Sequence, residues 1–134
     1  MRREFELPEA DREFLAAYGR PWETIVQGSS RWLLIQEFRA PPGYDHSVVT
    51  AAFQIEQNYP DTQLDMVWFY PHLSRSDGKE IKNLSKHQVD GKEFQRWSRH
   101  RTEQNKWRSG EDYLGTHLAL VDEWLLREFR RNGQ

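Results

Sequence analysis

The chain contains no cysteine among its 134 residues. That absence excludes a disulfide scaffold, a thiolate metal site and a cysteine nucleophile. No apolar run approaches the roughly 18 residues of a membrane span. The opening Met1-Arg2-Arg3-Glu4-Phe5-Glu6 has none of the apolar centre of a secretory leader. A soluble, cytoplasmic protein is the expectation. A large net charge is also missing: the formal value is −2, which argues against a generic nucleic-acid or membrane binder. There is no internal repeat, no low-complexity tract and no glycine-rich phosphate cradle. His46, His72, His87 and His117 lack the paired spacing of metal ligands, so neither metal nor cofactor is expected.

Aromatic residues, by contrast, are plentiful. Six Trp, seven Phe and five Tyr predict a packed core, and the length suits one domain spanning residues 1–134. Charge is unevenly spread. Residues 1–70 carry 11 acidic and 6 basic side chains, whereas residues 71–134 carry 10 and 13. Most of the positive excess lies between Lys79 and Arg108, so electrostatic recognition is expected there.

Leu7-Pro8-Glu9-Ala10-Asp11 reads as a helix start, with proline where no N–H is needed and carboxylates at the positive end of the dipole. Leu7, Phe14, Leu15 and Tyr18 share a face, and Gly19 with Pro21 ends the helix. Alternation then predicts strands at Trp22–Gln27, Arg31–Phe38, Ser47–Glu56 and Leu64–Tyr70, separated by turn-forming segments. From His72 to Gly110 no regular period is visible, and a long irregular segment in a small domain is usually functional. Within it Glu93–His100 reads as a short helix, with Phe94 and Trp97 on one side. Glu111-Asp112 caps a last helix whose stripe is Leu114, Leu118, Val121, Trp124, Leu125 and Phe129, ending in Arg127, Arg130 and Arg131. The expected class is α+β: an N-terminal helix, a four-stranded antiparallel meander, an irregular segment and a C-terminal helix.

The densest chemical signal is Asp90–Arg101, with one imidazole, two aromatics and four cations. His100 is the candidate acid–base group; its neighbours Arg99 and Arg101 favour the neutral ring. Arg96, Arg99, Arg101, Lys106 and Arg108 form a candidate docking surface, and Trp97 and Trp107 are candidate partner contacts set against a core role for the first and a plug role for the second.

The order of elements, together with Tyr59-Pro60 before the fourth strand, resembles the ubiquitin-conjugating (UBC) fold. Several landmarks resemble prokaryotic family E of that superfamily more closely. They are Leu7-Pro8, Phe14-Leu15, Gly19-x-Pro21, Pro42-Gly43-Tyr44, Tyr59-Pro60-Asp61, Asp65-Met66, Gln95-Arg96-Trp97-Ser98-Arg99-His100 and Trp107-Arg108-x-Gly110. The resemblance implies a bacterial conjugation pathway, with a ubiquitin-like protein and its activating enzyme as partners. It also implies that His100 stands in for the family's usual histidine. Two departures bear on chemistry. Tyr70-Pro71-His72-Leu73 stands where a His-Pro-Asn turn is expected. Gly78-Lys79-Glu80-Ile81-Lys82-Asn83-Leu84 stands where Gly-x-Ile-Cys-Leu is expected, which puts the cysteine slot at Lys82 or Asn83.

A thiolate both receives and releases an acyl group because its pKa lies near about 8.5. Acylated Lys82 would be a stable amide, and acylated Ser85 or Ser98 an oxyester needing strong activation. The expected role is therefore an inactive adaptor, or a form whose cysteine has been replaced. The alternative is a single-stranded nucleic-acid-binding module using the basic and aromatic segment 92–108. A hydrolase built on Ser85 or Ser98 with His100 lacks a nucleophile elbow.

Overall fold

The computed structural model describes residues 1–130. Helix α1 runs Glu9–Tyr18, with Pro8 as its cap and Gly19 in the left-handed region donating its N–H to the Leu15 carbonyl at 3.2 Å. Strands follow at β1 (Trp22–Gln27), β2 (Ser30–Arg39), β3 (Val48–Gln54) and β4 (Val67–Tyr70). The last starts later than expected, because Met66 has φ 61 and breaks the extended backbone before it. Two further strands, β5 (Leu84–Val89) and β6 (Lys92–Trp97), precede a short 3-10 turn at Glu103–Asn105 and helix α2 (Leu114–Arg127).

The class is α+β as expected, but the sheet has six antiparallel strands in the order β1-β2-β3-β4-β6-β5 rather than four. The four-strand meander is present. The chain then passes the position of β6, forms β5 at the edge and returns as β6 beside β4. Asp90-Gly91, with φ 53 and 74, closes this hairpin as a two-residue turn. The expected helix over Glu93–His100 is thereby overturned. Phe94 and Trp97 do not share a side; in a strand they fall on opposite faces. The strand period was masked because Gln95, a polar residue, occupies a buried inward position.

One sheet face packs under both helices. Leu33, Ile35, Phe53, Phe69 and Trp97 meet Leu7 and Leu15 from the α1 side and Leu118, Val121, Trp124 and Leu125 of α2. The other face carries Ile25, Trp32, Leu34, Ala52, Trp68, Val89 and Phe94, all nearly inaccessible although no helix contributes to that cluster. The sheet curls to bury it. Ile25 comes from one edge strand and Val89 from the other. The edges are joined where the Gln27 amide donates to Gln88 O (3.1 Å) and accepts from Asp90 N (2.8 Å). Arg2 completes the closure, bonding Glu23 and Asp90 at 3.0 and 2.7 Å.

At the start of α2, Asp112 does not cap the helix; it accepts from Arg108 N at 2.7 Å. Locally, Thr116 Oγ1 accepts from Tyr113 N at 3.0 Å, and a tertiary cap is added. Asp11, 1% exposed on α1, accepts from Leu114 N (3.1 Å) and from the Tyr59 hydroxyl (2.6 Å). It thus serves one of the orphan N–H groups of a helix far away in sequence. Phe129 lies beyond the helix end, against Tyr44 and under the Arg75 guanidinium. Gly43 packs beside the tip of that ring with φ 108, a backbone conformation that other residues rarely adopt. Arg127 and Arg130 both reach Glu123; Arg131 lies outside the described residues. Among the described residues no helix is long and apolar enough to cross a membrane.

Candidate functional site

The segment leading into β5 and the segment leaving β6 lie side by side, and hydrogen bonds fasten them together. Ser98 N donates to Asn83 O at 3.1 Å, and Arg99 Nη1 donates to Lys82 O at 3.0 Å. Asn83 has φ 61, a left-handed geometry that asparagine tolerates better than most residues. The side chains of Lys82 and Asn83 are exposed. Arg99 is committed to structure. Besides Lys82 O it bonds Glu128 Oε2 at 3.1 Å and lies 4.9 Å over the Trp97 ring, pinning this corner to the end of α2.

Beneath the corner, Gln95 orders the backbone after β4. Its amide accepts from Leu73 N (3.0 Å), donates to Leu73 O (2.9 Å) and accepts from Trp97 Nε1 (2.8 Å). A cleft of about 210 Å³ opens beside it, with Leu73, Ser74, Lys79, Glu80 and Leu84 among its walls. Arg75 in that wall clasps Asp77 through two nitrogens, which holds the Asp77 carboxyl below its ordinary value.

His100 follows immediately and is exposed. Its Nδ1 lies 3.1 and 3.2 Å from the two Asp65 oxygens. A carboxylate accepting at Nδ1 orients the ring and leaves Nε2 as the free nitrogen. The flanking arginines expected to act on the ring turn elsewhere, Arg99 as above and Arg101 onto the Trp107 ring at 4.9 Å. Asp65 had no signal in the sequence beyond its place in a family landmark, because nothing in the spacing couples positions 65 and 100.

The other expected contacts are largely absorbed into the fold. Trp97 is 0% exposed, so in this structure it is a core residue with no surface for a partner. Trp107 is half-buried; its Nε1 donates to Pro60 O at 2.9 Å, while the ring tilts against Tyr59. Arg101 is half-buried, reaching within 3.5 Å of His117 Nδ1. Arg96 donates to Ser85 Oγ at 2.9 Å. Lys106 and Arg108 are the well-exposed ones, loosely paired with Glu103 and Glu111.

The hydroxyl chemistry is equally constrained. Ser85 Oγ is engaged by Arg96, and His87 Nδ1 accepts from Trp68 Nε1 at 3.1 Å rather than serving a nucleophile. Among the described residues no cluster of carboxylates and imidazoles suited to a metal occurs. The arrangement offers an oriented imidazole, a cleft and an exposed loop, and among the described residues no hydroxyl is hydrogen-bonded to the His100 ring.

Against known proteins, the family model described as prokaryotic E2 family E matches residues 7–128. No curated protein and no solved structure matches the chain.

Proposed function

Because the chain belongs to prokaryotic E2 family E, we propose that it serves a ubiquitin-like conjugation system by holding the modifier or its activating enzyme non-covalently. One observation carries this reading: a family scaffold is kept from residue 7 to residue 128 in a chain without a thiol. We read the helix, meander and C-terminal helix as the UBC-like arrangement, with the β5–β6 hairpin as its elaboration. Lys82 and Asn83 occupy the place of the thioester-forming cysteine, and His100 with Asp65 stands at the position of the accessory base. An amine or amide in that slot has no means of passing an acyl group onward at neutral pH, whereas a thiolate does. What such a scaffold retains is protein recognition through its cleft and the exposed loop beside it.

The test is intact mass measurement after incubation with an activating enzyme, a ubiquitin-like modifier and ATP. The expected result is an unshifted mass together with co-elution of the modifier or the enzyme on gel filtration. An adduct of the modifier's mass that disappears in Ser85→Ala, Ser98→Ala or Lys82→Arg would overturn the non-covalent reading. Conversely, Lys82→Cys or Asn83→Cys should gain an adduct that thiol reagents remove.

The nucleic-acid alternative is less well supported by the geometry. It needs exposed rings on which bases stack, and Phe94 and Trp97 of its segment are 2% and 0% exposed.

A further inference from the structure

The two edges of the sheet are treated differently. Edge strand β1 is covered by the chain's own N-terminal segment: Arg3 bridges Thr24 in parallel, Glu4 N donates to Thr24 O (2.9 Å), and Thr24 N donates to Arg2 O (3.1 Å). Edge strand β5 pairs with β6 on one side, and on its outer side, among the described residues, only Gln88 has a partner. The turn fixes which groups face out. In a two-residue hairpin the flanking residues, Val89 and Lys92, exchange both bonds, and the pattern alternates from there. Leu84, Lys86 and Gln88 therefore direct their N–H and C=O groups away from β6. The Gln27 bond to Gln88 O agrees with this assignment, and Leu84 and Lys86 are left as an open ladder.

Cations outnumber carboxylates beside that ladder, where Glu80 shares the cleft with Leu84 and Glu93 lies opposite Gln88. The ion pairs of this region use Arg2, Arg75, Lys92 and Arg99, while Glu93 and Asp65 lie against the rings of His72 and His100. Lys79, Lys82, Lys86 and Arg96 have no carboxylate within 4.0 Å among the described residues. Lys86 lies on the helix-bearing face and Arg96 on the other, so a strand added at this edge meets positive charge on both sides. A second copy of β5 fits badly, because its own Lys86 and Lys82 would approach these. Lysine on an open edge is a usual guard against self-pairing.

We propose that the outer edge of β5 is a docking site for an extended acidic segment of a partner protein, which adds as a seventh strand. The repulsion that rejects a second copy becomes attraction for a strand bearing Glu or Asp at alternate positions, while backbone bonds at Leu84 and Lys86 supply sequence-independent affinity. This goes beyond the conjugation reading and does not depend on it.

The experiment uses the full chain and the synthetic peptide TVEVDVT, followed by amide NMR shifts. Controls are TVKVKVT and the proline-interrupted TVEPDVT. Shifts should concentrate at Leu84, Lys86 and Gln88, weaken as salt rises, and be absent with both controls. Lys86→Pro removes an outward N–H that β6 does not use, so the fold should tolerate it while binding is lost. Lys86→Glu leaves the backbone groups in place and should lower affinity about fivefold, roughly the worth of one exposed charge contact. Undiminished binding by a folded Lys86→Pro, equal binding of TVEPDVT, or shifts away from β5 would each overturn the proposal. So would no binding at all, or self-association of the free protein through β5.

Discussion

His117 couples a single buried ring to the stability of the whole core. It is 0% exposed, and its Nε2 donates to Met66 O at 2.9 Å. Burial lowers its pKa to about 4, opposed by the Met66 carbonyl and assisted by Arg101. The unfolded chain titrates near about 6.5. Since the folded value is the lower one, the contribution is complete above the unfolded value and is lost as the pH falls towards the folded one. Urea unfolding between about pH 7 and about pH 4 should therefore show a decline on the order of 3 kcal/mol from this group. His117→Gln should flatten that slope while lowering stability at neutral pH. Gln95 is the second such residue. Gln95→Leu would leave Leu73 N–H, Leu73 C=O and Trp97 Nε1 unpaired in the interior, costing on the order of 3 kcal/mol in the same assay. Neither role was legible in the sequence. A histidine on a helix and a glutamine in a strand look like surface residues until their neighbours are known.

At the scale of elements, the sequence was clearest where a period ran uninterrupted. Trp22–Gln27 is recovered with the bounds expected, and α1 ends at Gly19 as its composition implies. The β5–β6 hairpin was missed although Asp90-Gly91 is a strong turn signal, because Lys86, His87 and Gln88 on one side and Gln95 on the other conceal the alternation. The turn itself is testable. Gly91 has φ 74, so Gly91→Val should cost about 1–2 kcal/mol in urea unfolding, the penalty for a β-branched residue in the left-handed region. The α2 cap gives a second test. Asp11→Ala removes the acceptor for both Leu114 N and the Tyr59 hydroxyl and should cost about 2 kcal/mol. A loss no larger than that of an exposed α1 carboxylate such as Glu13 would show that the cap contributes nothing.

For the molecule as a whole, the curl of the sheet decides which side chains are interior. Trp32 and Trp68, each 1% exposed, are buried by the approach of the two edges and not by a helix. The closure at Arg2, Gln27 and Asp90 is partly solvent-exposed, so its ion pairs are screened by salt. Arg2→Ala with Gln27→Ala should cost about 1 kcal/mol, with faster amide exchange at Asp90 and a smaller dependence of stability on salt. Unaltered exchange there would mean that the packing of Ile25 against Trp32 and Phe94 holds the curl without those polar links.

The sequence by itself determined the class, the two helices, the meander and the family landmarks, along with the absence of any thiol. These depend on local period, turn chemistry and composition, all of which are written in neighbouring residues. Only the tertiary structure decided that Asp65 meets His100, that Asp11 caps α2, that Trp97 is core, and that β5 lies open at an edge. Each is a relation between residues distant along the chain, fixed when the sheet curls and the helices close on one face. Backbone periodicity carries no record of such distances.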